Sequence, residues 1–506
     1  MTNDQASNSR LIIKGGLVLQ TDPESTYQQP SFSVKPLDLL VENGVITRVE
    51  PDIREESLQG DGPVQVFDAR RKLITPGLID THRHLWQTVF RTYTADMTLF
   101  EFLNIVNVFL AAYMEPEDLY ISQICGAVEC INTGVTTVVD HFHANNSPLH
   151  SRAAIRALDS TGLRTRFCAG TNKCLDIEAL RTRRPGPPFK DNSWQAKEIL
   201  SIQAERGELN DPLVTLGVSL DSWKMGPPSA TVDLVKRCRE AGIEVFTMHL
   251  AEGALGPSDE PVRKLDSFSP SLLGKDMILS HANFLSEEEL RIVREKQVRL
   301  SATPECEALL NMDLAITRKA QANDICCGLG VDTCALTEGS MFTAMRMAFA
   351  TLRYEVNHEF IVSGKFPSQC PKTARFGAIL RDATLGGARA ASLEDKVGEV
   401  AVGKRADLVL LNLDTPNMIG IPESGIPSAL VTHATTADID SVFIDGVLRK
   451  QAGKVLGHDL EHLGKLLRES LDRILKRAEK DGEVGTQVSK MMAKVFSLDQ
   501  IFAEEA

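Results

Sequence analysis

The stretch Leu73-Ile-Thr-Pro-Gly-Leu-Ile-Asp-Thr-His-Arg-His84 is an apolar run that ends in two histidines one residue apart. Successive side chains of a strand alternate faces, so His82 and His84 point the same way and can converge on one cation. The pair is half of a metal site, and the other half is expected downstream. Three later segments have the same form. Ile243-Glu-Val-Phe-Thr-Met-His249 is followed three residues on by Glu252, while Met277-Ile-Leu-Ser-His281 and Ile325-Cys-Cys-Gly-Leu-Gly-Val-Asp332 each end in a metal-competent or proton-transferring side chain.

From residue 73 to about 395 apolar runs alternate with amphipathic stretches, the grammar of βα units around a parallel sheet. The reading is a TIM-type (β/α)8 barrel. Its candidate strands are Leu73–Ile79, Thr136–Val139, Thr165–Cys168, Val214–Ser219, Glu244–Met248, Met277–Ser280, Val298–Ala302 and Gly328–Val331. Active sites of such barrels lie at the carboxyl ends of the strands, where every suspected ligand falls. Ser286 and Glu289 form a capping-box pattern opening one intervening helix. Before the barrel, 1–72 carries short β segments with an Asn43-Gly44 turn. After it, 396–455 repeats that grammar in Val397–Val400, Ala406–Asn412 and Val442–Leu448, with Asp445-Gly446 as a second tight turn. The tail, 456–506, reads as a helical extension.

With 506 residues and 43% hydrophobic content the chain can bury a large core. A net charge of -13 argues against a nucleic-acid partner, which usually leaves a basic footprint. No apolar run is long enough for a membrane helix, and the polar start points to the cytosol. Ten scattered cysteines without C-x-x-C spacing read as reduced, packed thiols. Cys306 lacks a local base for a nucleophilic role.

The order His-x-His, His, His, Asp at strand ends resembles the mononuclear branch of the amidohydrolase superfamily, which contains cytosine deaminase, the S-adenosylhomocysteine deaminases and the triazine hydrolases. The resemblance runs through Pro76-Gly-Leu-Ile-Asp-Thr-His-Arg-His84, Gly134-Val-Thr-Thr-Val-Val-Asp140, His249-Leu-Ala-Glu252, Thr303-Pro-Glu-Cys-Glu307 and Gly403-Lys-Arg-Ala-Asp-Leu-Val-Leu410. It implies that the two chain ends join in one discontinuous β-sandwich. It also implies one divalent metal, zinc before iron or manganese, held by His82, His84, His249 and Asp332. A cation so held, with one position open, lowers the pKa of water bound to it. In similar deaminases Asp332 would take the proton, Glu252 would protonate the ring or leaving group, and His281 would polarise the attacked centre. Binuclear relatives bridge two metals from the fourth strand. Here Leu213–Leu220 offers no lysine until Lys224, so one metal is expected, with Asp221 read as a substrate contact or helix cap.

Substrate contacts are expected from Gln87 and Trp86 after the histidine pair, and from Glu305 or Glu307 after the seventh strand. Tyr93, Met97 and Phe100 are candidate lid residues, with core packing as the alternative. His141, in a second His-x-His with His143, is expected to orient a ligand or the substrate. The basic stretch Arg181–Lys190 reads as a solvated loop or an anion-attracting one. The expected activity is metal-dependent hydrolysis of non-peptide carbon–nitrogen bonds, deaminating an aromatic or cyclic amidine-like small molecule. Removal of halide or alkylamine, cyclic-amide opening, lyase chemistry on the same site, and a metal-free scaffold are the alternatives. Relatives are often homodimers or larger.

Overall fold

The computed structural model describes residues 10–26, 28–58, 63–185, 188–224, 226–251, 253–254 and 259–495. Eight strands follow one another in sequence and in space: β1 (Leu78–Arg83), β2 (Val135–Phe142), β3 (Arg164–Gly170), β4 (Val214–Ser219), β5 (Phe246–Leu250), β6 (Met277–His281), β7 (Arg299–Ala302) and β8 (Cys327–Leu329). All seven neighbouring pairs are parallel. A parallel bridge between Arg83 and Asp332 brings β8 back to β1 and closes the ring. β1, β2 and β3 are buried along their whole lengths, because helices cover the outside and side chains fill the inside. The amino end of the barrel is plugged by Ala388, Ala391, Leu393 and Val397, packed on Ile79, Val139, Cys168, Val245 and Ile278.

The chain ends form one mixed sheet of nine strands. Arg10–Thr21 lies beside Phe32–Glu42 on one edge and beside Val64–Asp68 and Lys72–Pro76 on the other. Lys72–Pro76 in turn pairs with Leu408–Asn412, and Ile439–Ile444 follows. The sheet curls: Phe67 meets Phe443 edge-on at 5.2 Å, and Val45 bridges Arg405. Both layers of the expected sandwich thus come from a single bent sheet around Ile13, Leu39, Ile74, Leu408 and Leu410. Both tight turns form as their Asn-Gly and Asp-Gly pairs predict, with positive φ at Asn43, Gly44, Asp445 and Gly446.

Two expected strands differ. Leu73–Ile79 is two strands, not one: Lys72–Pro76 belongs to the terminal sheet and β1 begins at Leu78. Pro76 has no N–H to continue a ladder, and Gly77 makes the crossing because a Cβ there would lie 1.9 Å from the Thr136 hydroxyl oxygen. The Gly77 N–H reaches Asp407 of the terminal sheet, while the Leu78 N–H reaches Gly134 at the start of β2. Val397–Val400 is bend rather than strand, turned aside by Gly398 at φ 96°.

The helix predicted after Asp459 spans Leu460–Glu479, with the Asp459 side chain capping the His462 N–H. Ser470, Arg473 and Arg477 from this helix all reach the buried Asp118 carboxylate. Beyond it, Asp481 accepts hydrogen bonds from the Tyr113 hydroxyl at 2.8 Å and from the Arg181 guanidinium at 2.6 and 2.8 Å. Helix Gly482–Val495 then lays Val484 and Val488 on Phe109 and Ala112 from the segment after β1, and on Leu175, Leu180 and Phe189 from the segment after β3. The C-terminal extension therefore straps together two of the connections at the carboxyl end of the barrel.

Gly77→Ala overpacks the crossing and is expected to destabilise the fold by about 1–3 kcal/mol, read as a lower midpoint in chemical denaturation.

Candidate metal centre

The carboxyl ends of four strands deliver the site. His82 and His84 come from the end of β1, His249 from β5, His281 from the end of β6, and Asp332 from just beyond β8. The donor atoms of His82, His84, His249 and Asp332 all lie within 4.8 Å of one another. Asp332 Oδ1 stands 3.1 Å from His84 Nε2 and 3.4 Å from His82 Nε2, and His249 Nε2 stands 3.2 Å from His84 Nε2.

The opposite nitrogen of each ring fixes its orientation. His84 Nδ1 lies 2.7 Å from the His141 carbonyl, an acceptor only, so the proton sits on Nδ1 and Nε2 carries a bare lone pair. His249 Nδ1 faces the Asp221 carboxylate at 3.1 Å, which sets the same tautomer. His82 Nδ1 meets the Ser280 hydroxyl at 2.8 Å, leaving Nε2 buried without a hydrogen-bond partner among the described residues. Two bare imidazole nitrogens at 3.2 Å beside a carboxylate and an orphaned third nitrogen repel or waste one another unless a cation lies between them. The donor set, three neutral nitrogens and one oxygen, suits a divalent ion of the zinc kind.

The surrounding charges agree. Burial drives the His82 imidazole well below its usual range, toward the neutral form a ligand needs. Burial opposes ionisation of Asp332, but the His82 and His84 rings outweigh it and hold the carboxyl well below its usual range. The backbone at His281 and Asp332 is left-handed, φ 69° and 68°, a conformation uncommon for residues other than glycine.

Other expected residues fall at varied distances from this centre. His281 Nδ1 lies 3.0 Å from the Thr303 hydroxyl and 3.3 Å from Glu307, and the ring stacks on His249 at 5.6 Å. Glu307 is wholly buried and also accepts the Thr303 N–H, so of the two glutamates it is the one that steadies His281. Glu305 is half-buried, and burial raises its pKa. Gln87 is buried, donating to Asn107 at 2.7 Å while its oxygen has no hydrogen-bond partner among the described residues. Trp86 is buried edge-on to His143. His141 has Nε2 at 2.7 Å from both Asp221 and Ser219, so its ring is engaged inside the protein. Glu252 lies outside the described residues. In the basic stretch Arg181 pairs with Asp481 and Arg184 with Asp176. Tyr93 is exposed, while Met97 packs against the core.

Asp221 carries more than its sequence context suggested. It accepts the His249 N–H at 3.1 Å through Oδ1, and it holds the His249 and His141 rings through Oδ2. The available signal was its place just beyond β4, at the same level as the other site residues. Lys224, the first lysine after β4, turns instead to Asp259. Cys306 is buried, and burial pushes its thiol pKa up, which disfavours the thiolate a nucleophile needs. All ten cysteines are free thiols.

Comparison with known proteins agrees with this geometry. The model of the amidohydrolase family matches residues 73–449, and the chain belongs to that family. It is 26% identical over 454 residues to a 5'-deoxyadenosine deaminase from Methanobrevibacter smithii, covering 87% of this chain and 94% of that one. Among solved structures it resembles an adenosine deaminase from Xanthomonas campestris with bound zinc, at TM-score 0.72, 20% identity, and 92% and 99% coverage. It also resembles a mutant of atrazine chlorohydrolase from Arthrobacter aurescens complexed with zinc and atraton, at TM-score 0.75, 18% identity, and 91% and 100% coverage. The protein is thus an enzyme, a metal-dependent hydrolase of carbon–nitrogen bonds of the deaminase type. Among the described residues no helix is long and apolar enough to cross a membrane.

Asp221→Asn keeps the shape but removes the charge that orients His249. It is expected to weaken metal affinity about 10- to 100-fold, measured by competition with a chelator.

Proposed function

We propose that the protein deaminates an amino-substituted nitrogen heterocycle, an adenosine derivative or a related small molecule, using one zinc ion held by His82, His84 and His249 through Nε2 and by Asp332 through Oδ1. The observation that carries this reading is the convergence of three oriented imidazoles and one carboxylate at the carboxyl end of the barrel. The activities named for its relatives support the substrate class.

A cation bound there lowers the pKa of water at its open position and makes it nucleophilic at neutral pH. The remaining chemistry falls to the side chains. Asp332 is the base: its carboxyl is held ionised and accepts the proton released as water adds to the ring carbon. Burial opposes protonation of His281, but the Glu307 hydrogen bond and the Asp332 and Glu307 charges outweigh it and favour the imidazolium, which donates a hydrogen bond from Nε2 as charge develops at the attacked centre. Glu252, three residues beyond His249, gives its proton to the ring nitrogen; the proton taken by Asp332 then passes to the amino group, which leaves as ammonia as the new hydroxyl returns a proton to Glu252. Gln87 and Glu305 supply hydrogen bonds to the heterocycle edge, and Trp86 backs the wall. Asp332→Asn is expected to reduce kcat by 10²-fold or more, since it removes a general base. Glu252→Gln is expected to lose turnover while keeping its metal.

The decisive experiment pairs metal content with ammonia release. Protein purified without chelator is expected to carry about one equivalent of zinc per chain and to release ammonia from at least one member of a panel of adenosine derivatives, guanine, cytosine and aminotriazines. Removal of the metal is expected to abolish the reaction and its return to restore it. Two equivalents per chain, or chloride or alkylamine release in place of ammonia, would overturn the reading.

We further infer a cytosolic homo-oligomer. Tyr354, Ile361 and Val362 on helix Met341–Val362 and Phe366 beyond it are large exposed apolar side chains, which supports self-association. Light scattering is expected to give at least twice the chain mass of 55.5 kDa.

A further inference from the structure

From Asp140 to Asn146, at the carboxyl end of β2, the other polar side chains have partners inside the protein. Asp140 accepts the Leu85 N–H and the Gln123 amide, and His141 holds Asp221. Asn145 donates to the Gly170 carbonyl and accepts from Ser151, while Asn146 donates to the Ala111 carbonyl. His143 differs. Its residue is 8% exposed, and its Nδ1 is buried without a hydrogen-bond partner among the described residues.

The ring is nevertheless held in one place. It stands edge-on to His84, with centroids 4.6 Å apart, to Trp86 at 5.0 Å and to His249 at 5.9 Å. The His143 carbonyl accepts the Asn172 amide at 2.7 Å, and the Asn145 carbonyl accepts Gln195 at 3.1 Å, so the backbone beneath it is fixed. The Trp86 indole N–H beside it is likewise buried with no partner. Buried donors and acceptors left unmet are costly, and two of them on rings 5.0 Å apart, beside the candidate ligand His84, fit a polar group that enters with the substrate. His143 is not one of the ligands, for its donor atoms stand outside the group that meets within 4.8 Å. Nor does it duplicate His281, which stacks flat on His249 where His143 stands perpendicular to it.

We propose that His143, with Trp86 beside it, is a substrate-specificity residue. Its imidazole forms a hydrogen bond with a ring nitrogen or carbonyl on the heterocycle edge that lies over His84. The enzyme thereby selects heterocycles bearing a heteroatom near the attacked carbon. This assignment rests on the deaminase reading for the identity of the reaction, but not for the binding contact.

The test uses zinc-loaded wild type, His143→Ala and His143→Gln, comparing metal per chain, kcat and KM on the best panel substrate, and calorimetric Kd for the panel heterocycles. In His143→Ala, metal content is expected to stay at the wild-type value, while KM and Kd rise about tenfold and kcat changes less. His143→Gln, which keeps an amide donor and acceptor, recovers part of the loss. A fall in metal content in His143→Ala, or unchanged KM and Kd, overturns the assignment. If wild type releases no ammonia from any panel member, the deaminase reading fails, and His143 is judged by Kd alone. Weaker binding to His143→Ala then upholds it, and equal binding, or no binding by wild type, overturns it.

Discussion

The parallel bridge between Arg83 and Asp332 holds the rest of the molecule in register. The Asp332 N–H donates to the His82 carbonyl and the His84 N–H donates to the Asp332 carbonyl, both at 2.8 Å. Two backbone hydrogen bonds therefore close the barrel and also set three of the four candidate ligands side by side. Between the histidines, Arg83 points the other way into a buried network with Asp80, Glu129 and the Gly339 carbonyl. Breaking such a buried pair by removing one partner is strongly destabilising, so the seam is anchored on both faces of the strand.

Around that seam the electrostatics are one-sided. Imidazole lone pairs and a carboxylate crowd a small buried volume, and the backbone at His281 and Asp332 is held in a conformation costing about 1–3 kcal/mol at each residue. The scaffold tolerates this because the strands beneath are rigid and fully buried. A cation held there would convert the crowding into attraction and so stabilise the folded chain.

The positions of the candidate site residues were legible because each follows an apolar run, and in a parallel barrel the carboxyl ends of such runs meet. His82, His84, His249, His281 and Asp332 could be read this way without knowing which strands pair. The division of Leu73–Ile79 was hidden because both halves are apolar; only Gly77, tight against Thr136, marks the change of sheet. Asp221 and Glu307 were underestimated for a related reason. Their importance lies in holding His249 and His281, and a contact between residues 28 or 26 positions apart leaves no periodic trace in the chain. His143 was passed over because a second His-x-His looks like a repetition of the first; in the structure the His141 ring is held by Asp221 and Ser219, while the His143 ring stands edge-on to His84 and Trp86.

The strap formed by Leu460–Val495 ties the segments after β1 and β3 together, and the terminal sheet takes strands from both halves of the chain. Synthesis proceeds from the amino end, so the barrel strands all leave the ribosome before the elements that complete the sheet and fasten the mouth of the site. The catalytic end of the molecule is therefore finished last, and a nascent chain already holding every metal-binding side chain still lacks the frame that gives the cavity its shape.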